Sequence, residues 1–586
     1  MQNYLILLKI ICIIYFIQLS FLPLLSGFIV RSCSNCMNME GPKIVEQMFS
    51  GIDFLVVFVY LIIIISVGLL ISRKKSNTSE YFLANRNIGW FVVGSALFAS
   101  NIGSEHLVGL AGTGAKSGIA VAQFEILASL ILLLLGWVFV PYFLNSKVST
   151  TPEFLERRYS PHARWYLSTI SIFAYVVTKI AVTIAAGGIV FEGLMGVDFW
   201  TGAFLIVLLT GIYTVLGGLR AVVYTETIQT VVLLAGSAVT LIFGLQAIGG
   251  WDAMVETAEP GFMSIWKPSS HPEFPWTGIV LGAPILGIWY WCTDQNIVQR
   301  VLAAKNISEA RRGTIFAGFL KITPLFFFVI PGVIASCLVA NGQLSFSSSE
   351  SDSALPILIR TLLPSGLRGM VAAGLLAALM SSLASVFNSC STLVTLDIYK
   401  KLYPKTEEQK LVKIGQWSTT VLVVIGLLFI PLISRFGDTL FVSLQSIQAM
   451  IAPPIAAVFL FGIFIKRLNS QGAIASLAVG FVIGMSRFIL EIINPTSGTL
   501  LHDFISINFL HFAFILFVIC SVVLVQVSYL TPAPGTVKTL GLTYERSAKT
   551  REPSLGLIMT TVKVVEDRLY SILLILAVIL VWIFFA

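Results

Sequence analysis

Glu105 and His106 stand side by side in the stretch ASNIGSEHLVG (99–109), inside an otherwise apolar run. Hydrocarbon offers no partner to a charge or to a freed backbone group, so this stretch reads as a broken helix whose polar groups line a cavity. The alternative is a glycine-packed helix crossing with Glu105 reaching for the headgroups. Glu125 follows one helix later, again among apolar neighbours. The segment WYWCTDQ (289–295) clusters three aromatic rings ahead of Asp294, and Lys321 lies deep in the next apolar run. Trp and Tyr also collect at membrane interfaces, but the adjacent Asp294 and Lys321 favour a binding wall. In such a wall, ring faces stack on a polyhydroxylated ring while carboxylate, amide and ammonium groups hydrogen-bond its hydroxyls. In ALMSSLASVFNS (378–389), Ser381 and Ser382 offer two adjacent hydroxyl oxygens. They suit a hard cation completed by carbonyls from a broken helix, and equally suit hydroxyls that only bond back to their own helix.

These residues need a frame, and composition names its class. The 586-residue chain is 56% hydrophobic and 11% charged, less than half the charge of an ordinary soluble domain. Apolar spans are expected near 53–72, 89–112, 119–145, 165–190, 199–217, 221–248, 277–296, 315–341, 368–388, 414–434, 440–465, 472–491, 507–529 and 567–585. The expected fold is therefore an all-α membrane protein of about 14 transmembrane helices.

The net charge of +8 does not call for a nucleic acid, because the basic residues fall in alternate connections. Arg73, Lys74 and Lys75 follow the first span. Lys147, Arg157, Arg158 and Arg164 come two crossings later, then Arg220, then Arg300, Lys305, Arg311 and Arg312, and the alternation continues to Arg551. Basic loops face the cytoplasm, which starts the 53–72 span outside and leaves Ala586 extracytoplasmic. The expected location is the cell membrane, crossed many times. Residues 1–48 contain a further apolar run, readable as a signal peptide, an extra helix or sequence upstream of the true start. Cys33 and Cys36 lie there, with no second ligand pair nearby for a metal and with a disulfide open to them. The other cysteines within spans read as small core residues.

Six blocks in order carry a resemblance: EYFLANRNIGW (80–90), ASNIGSEHLVGLAGTGAKSGIA (99–120), GGLRAVVYTETIQT (217–230), WYWCTDQNIVQRVLAAKN (289–306), MSSLASVFNSCSTLVTLDIY (380–399) and APPIAAVFL (452–460). Across residues 49–586 the chain resembles the sodium/solute symporter family, in particular its sodium/glucose cotransporter branch. The resemblance implies an inverted five-plus-five helix repeat, with core repeats at 89–248 and 277–465 and broken first and sixth core helices. It implies a sodium site on the carbonyls of Ala99, Ile102 and Ala378 and the hydroxyls of Ser381 and Ser382. The implied substrate site comprises Asn101, Glu105, His106, Glu125, Tyr290, Trp291, Asp294, Lys321 and Gln445. Tyr290 resembles an inner gate, and Phe441 with Leu110 an outer one. Gly287 departs from the pattern, since relatives place Thr or Asn there. A second sodium site, present in some members, falls on Glu226, Ala384 and Ser385, and the missing hydroxyl at Ala384 favours one Na⁺ per cycle.

The expectation is a symporter that imports a hexose or related sugar, with Na⁺ as coupling ion and no organic cofactor. Its partners would be a sugar or polyol, the sodium ion and the lipid bilayer. The same family also suggests myo-inositol, sialic acid or a carboxylate, although Glu105 and Glu125 speak against an anion. A membrane sensor of this fold would carry a fused signalling domain, whereas this chain ends at Ala586 just after a span. An intramembrane hydrolase would need a metal motif such as H-E-x-x-H, which the sequence lacks, so no enzyme is expected.

Overall fold

The structure is a computed structural model that describes residues 49–71, 78–433, 440–544 and 557–586. The apolar run near 4–30, Cys33 and Cys36 lie outside the described residues, as do Arg73, Lys74, Lys75 and Arg551. Among the described residues every regular element is helical, and eleven helices are long and apolar enough to cross a membrane.

The eleven differ from the expected spans in three places, each with a physical cause. The 199–217 and 221–248 spans form one element, Phe199–Ile248, bent at Gly218. Gly218 has φ +60°, a backbone region open to glycine, and a Cβ there would strike Tyr81. The 89–112 span is two helices, Trp90–Asn101 and Ser104–Ser117, parted at Ile102 and Gly103. The 277–296 span is fragmented into Trp276–Leu281, Ala283–Gly287 and a π turn at Ile288–Thr293. It ends at Asp294, which caps a short helix, Gln295–Leu302. Both broken segments leave backbone polar groups without helical partners, and in a membrane these must face protein or a cavity.

Several basic residues expected in loops belong to helix ends with fixed partners. Arg311 and Arg312 lie in the Ile307–Leu320 helix, and Arg312 pairs with Glu566 at 2.5 Å and Asp567 at 2.8 Å on the last helix. Arg164 lies in Pro161–Ala174 and pairs with Asp397 and Glu156 at 2.6 Å each. Glu156 lies outside the spans. Burial alone would raise its carboxyl, but hydrogen bonds from Lys401 and Arg164 hold it below the usual range.

The broken helix is seated by glycine contacts. A Cβ on Gly94 would lie 2.7 Å from the Gly313 carbonyl, so Trp90–Asn101 crosses Ile307–Leu320 backbone against backbone. In its second half, Ser104–Ser117, a Cβ on Gly109 would meet Phe441 at 3.0 Å. The Leu367–Thr392 helix is buried along nearly its whole length and delivers the two serines to the break. Cys292, Cys337, Cys390 and Cys520 are buried free thiols, filling the small-residue role expected of them.

Candidate substrate and cation site

At the break, the helix ends after Asn101, and Ile102 leaves the helical region at ψ 88°. The Gly103 amide turns back onto the Asn101 carbonyl at 2.8 Å. The Ser381 hydroxyl lies 2.9 Å from the carbonyl oxygen of Ala99 and 2.9 Å from that of Ala378. The adjacent Ser382 Oγ is buried with no hydrogen-bond partner. A buried hydroxyl left without a partner costs free energy, and a hard cation supplies one. Ala99, Ala378 and Ser381 thus bring three oxygens together, with Ser382 next to Ser381 in the same buried helix and Ile102 at the break itself.

Beside this point is a cavity lined by Asn101, His106, Glu125, Tyr290, Trp291 and Gln445, six of the nine expected substrate ligands. Glu125 is central. One carboxylate oxygen is bonded by Lys321 Nζ and the other lies 3.2 Å from His106 Nε2. Lys321 is fully buried behind Glu125, with its ammonium 5.2 Å from the centroid of the Trp291 ring. It reaches the cavity through Glu125 and is not itself part of the lining. Asn101 Oδ1 is buried without a hydrogen-bond partner, an acceptor available to a ligand hydroxyl. Asp294 is outside the lining, bonded to Lys179 and Tyr175. Glu105 lies in the Ser104–Ser117 helix, and its side chain is outside the described residues.

The outer-gate pair separates. Phe441 lines the cavity, with its ring 5.9 Å from His106 and 5.5 Å from Phe124, whereas Leu110 is fully buried away from the lining. The rest of the wall escaped the sequence reading: Phe124, Leu127, Ile131, Leu286 and Gln448 among others. Gln448 was findable as a second amide three positions after Gln445 in an apolar helix, a spacing that shares one face. The apolar lining residues carry no signal that separates them from the lipid-facing ones.

At the expected second sodium site one carboxylate oxygen of Glu226 is engaged, while its Oε2 is buried without a hydrogen-bond partner. Arg300 donates to Glu226 Oε1 at 2.8 Å, and the Ser385 hydroxyl meets the same carboxylate oxygen.

Comparison with known proteins gives the family and the fold. The sequence profile described as "Sodium:solute symporter family" matches residues 81–480. Sodium/glucose cotransporter 1 of Ovis aries is 38% identical over 528 residues, covering 83% of this chain and 80% of that protein. Sodium/glucose cotransporter 2 of Rattus norvegicus is 37% identical over 526 residues, covering 82% and 78%. Among solved structures, a substrate-bound, outward-open Na⁺-coupled sialic acid symporter matches with a TM-score of 0.73 at 23% identity, over 83% of this chain and 99% of that one. A nucleobase-cation-symport-1 transporter in a closed conformation matches with a TM-score of 0.50 at 13% identity, over 80% and 99%. At these identities the two structures establish a shared fold.

Proposed function

The chain belongs to the sodium:solute symporter family, and from that premise we propose that it imports a hexose or related sugar with Na⁺ by alternating access. One observation carries the coupling. The Ala99 carbonyl, at the cation position, and the Asn101 side chain, in the cavity, belong to the last turn of one half-helix. An ion that fixes this turn fixes Asn101 for the solute, and a bound solute stabilises the turn for the ion. That reciprocity is what coupled binding requires.

The polarity of the cavity supports a neutral, hydroxyl-rich solute. Glu125 carries a charge already matched by Lys321, so the pair presents hydrogen-bonding atoms with little net charge. Trp291 and Tyr290 contribute ring faces on one wall, and Gln445 and Asn101 contribute amides. A compact ring with hydroxyls on several edges uses all of these.

In the cycle, Na⁺ enters from outside and favours the outward-open arrangement of the broken helix. Solute binding permits closure, and the core helices then rock to expose the site inside. Sodium release loosens the Ala99–Asn101 turn and the solute follows past Tyr290. The basic connections face the cytoplasm in this reading, with Ala586 outside. A tenfold Na⁺ gradient supplies about 1.4 kcal/mol and 100 mV about 2.3 kcal/mol, which supports at most roughly 500-fold accumulation with one ion. The cycle needs no covalent step.

The test is uptake of labelled glucose, galactose, myo-inositol and sialic acid into proteoliposomes, with and without an inward Na⁺ gradient. Sodium-dependent accumulation of a hexose is expected. Sodium-driven accumulation of sialic acid with none of any hexose would replace the substrate and leave the symport in place.

A further inference from the structure

Asp294 resembles a sugar ligand by its place in the sequence, yet its carboxylate is spent elsewhere. It accepts from Lys179 Nζ at 2.7 Å and from the Tyr175 hydroxyl, and it caps the Gln295–Leu302 helix through the Asn296 amide at 2.9 Å. Lys179 Nζ in turn lies 4.4 Å from the centroid of the Tyr290 ring and 5.0 Å from that of Tyr175. Both charges are buried, and Tyr290 lines the cavity.

The backbone under these residues is unusual on both sides. Tyr175 and Lys179 belong to a π turn, Tyr175–Ile180, and Tyr290 belongs to another, Ile288–Thr293, which ends at Asp294. π turns interrupt the ordinary helical ladder and recur at functional sites. The ammonium thus joins two segments 115 positions apart, and holds the cavity ring by its face.

We propose that Lys179 and Asp294 form a latch that positions the Tyr290 ring against the cavity, and that solute exit requires this pair to part. The proposal rests on the reading of the cavity as the transported solute's site. Asp294 ends the turn that carries Tyr290, so a shift of that turn moves the carboxylate and the ring together. Parting the pair separates two buried charges that answer one another, which is unfavourable in this setting. The contact therefore favours one arrangement of the gate, and its removal shifts the population toward the arrangement that releases solute. Lys179 and Asp294 act as positioning residues: Lys179 touches the ring and Asp294 holds Lys179.

The experiment measures sodium-free efflux of a preloaded labelled hexose, glucose first, from proteoliposomes in which the wild-type protein shows sodium-driven uptake. Lys179→Met and Asp294→Asn are expected to raise this leak about five- to thirtyfold, the effect of losing a desolvated cation–π contact. Lys179→Arg, which keeps the charge and the ring contact, should restore retention. Tyr290→Leu should leak as well, and Lys179→Met added to it should leak no more. Retention at the wild-type level in the single variants, or leaks that multiply in the double variant, would overturn the latch. If Lys179→Met fails to fold, Tyr290→Leu keeps both charges and decides by its own leak. A wild type with no sodium-driven uptake removes the functional reading and the latch with it. A competent wild type with tight variants removes the latch alone.

Discussion

Arg300 donates to Glu226 across 2.8 Å with both side chains fully buried, so an internal cation holds the acidic residue that the family pattern assigns to a second sodium site. Ser385 meets the same oxygen, and Ala384 beside it has no hydroxyl to offer. The expected stoichiometry is one Na⁺ per solute, with Glu226 structural. Reversal potentials in proteoliposomes at several sodium and solute gradients give the ratio directly, and a value of two would refute this assignment. Glu226→Ala should destabilise the protein by about 3–5 kcal/mol, because Arg300 is left buried and uncompensated. Thermal unfolding in detergent measures that loss.

Ser382→Ala tests the cation site. The Ser382 oxygen has no protein partner to lose, so its removal should leave the fold intact while taking one ligand from the ion. The expected cost is roughly 1–3 kcal/mol, read as a raised Na⁺ concentration for half-maximal uptake. An unchanged sodium dependence in a variant that reaches the membrane would move the ion elsewhere.

Gln445→Ala addresses the solute. Gln445 lines the cavity from the Leu440–Phe464 helix, which supplies none of the oxygens of the Ala99–Ser381 cluster. Its loss should weaken solute affinity while the sodium dependence stays near that of the wild type. Deoxyhexoses should bind much more weakly than the parent sugar, since the site's amides and carboxylate are then left without hydroxyl partners. Equal competition by a hexose and its deoxy analogues would mean that these groups do not read hydroxyls.

Gly287 and Ile131 give a packing test. Gly287 lines the cavity, and a Cβ there would fall 2.1 Å from the terminal methyl of Ile131. The isoleucine thus occupies the space that a side chain at position 287 would need. Gly287→Thr alone should destabilise by about 1–3 kcal/mol through overpacking. Adding Ile131→Val removes the clashing methyl and should recover stability, with a hydroxyl now offered to the solute. A Gly287→Thr protein that melts at the wild-type temperature would show that this wall yields freely.

Much of the site was legible because a membrane makes polarity expensive. His106 and Glu125 stand out in apolar runs and line the cavity, as do Asn101 and Gln445, which the family resemblance supplied. The break at Ile102 and Gly103 was readable for the same reason, from an ionisable pair and two glycines where a plain helix had no use for them. The apolar wall was not legible, since Phe124 and Ile131 look like any lipid-facing residue. Asp294 was legible as an acidic residue in an apolar run but not in its contacts, because its partner Lys179 lies 115 positions away.

The sequence by itself determined that this chain crosses a membrane many times and that the helix near Ile102 breaks. Those features are local, set by hydrocarbon that rejects unpaired polar groups. Only the tertiary structure decided which buried charges answer one another: Lys321 with Glu125, Arg300 with Glu226, Lys179 with Asp294. Each pair spans helices far apart in the chain. Helical periodicity orients a side chain about its own axis but says nothing of the neighbour across the interface. That neighbour is chosen by close packing, as where Gly94 meets Gly313, and the charge pairs follow from it.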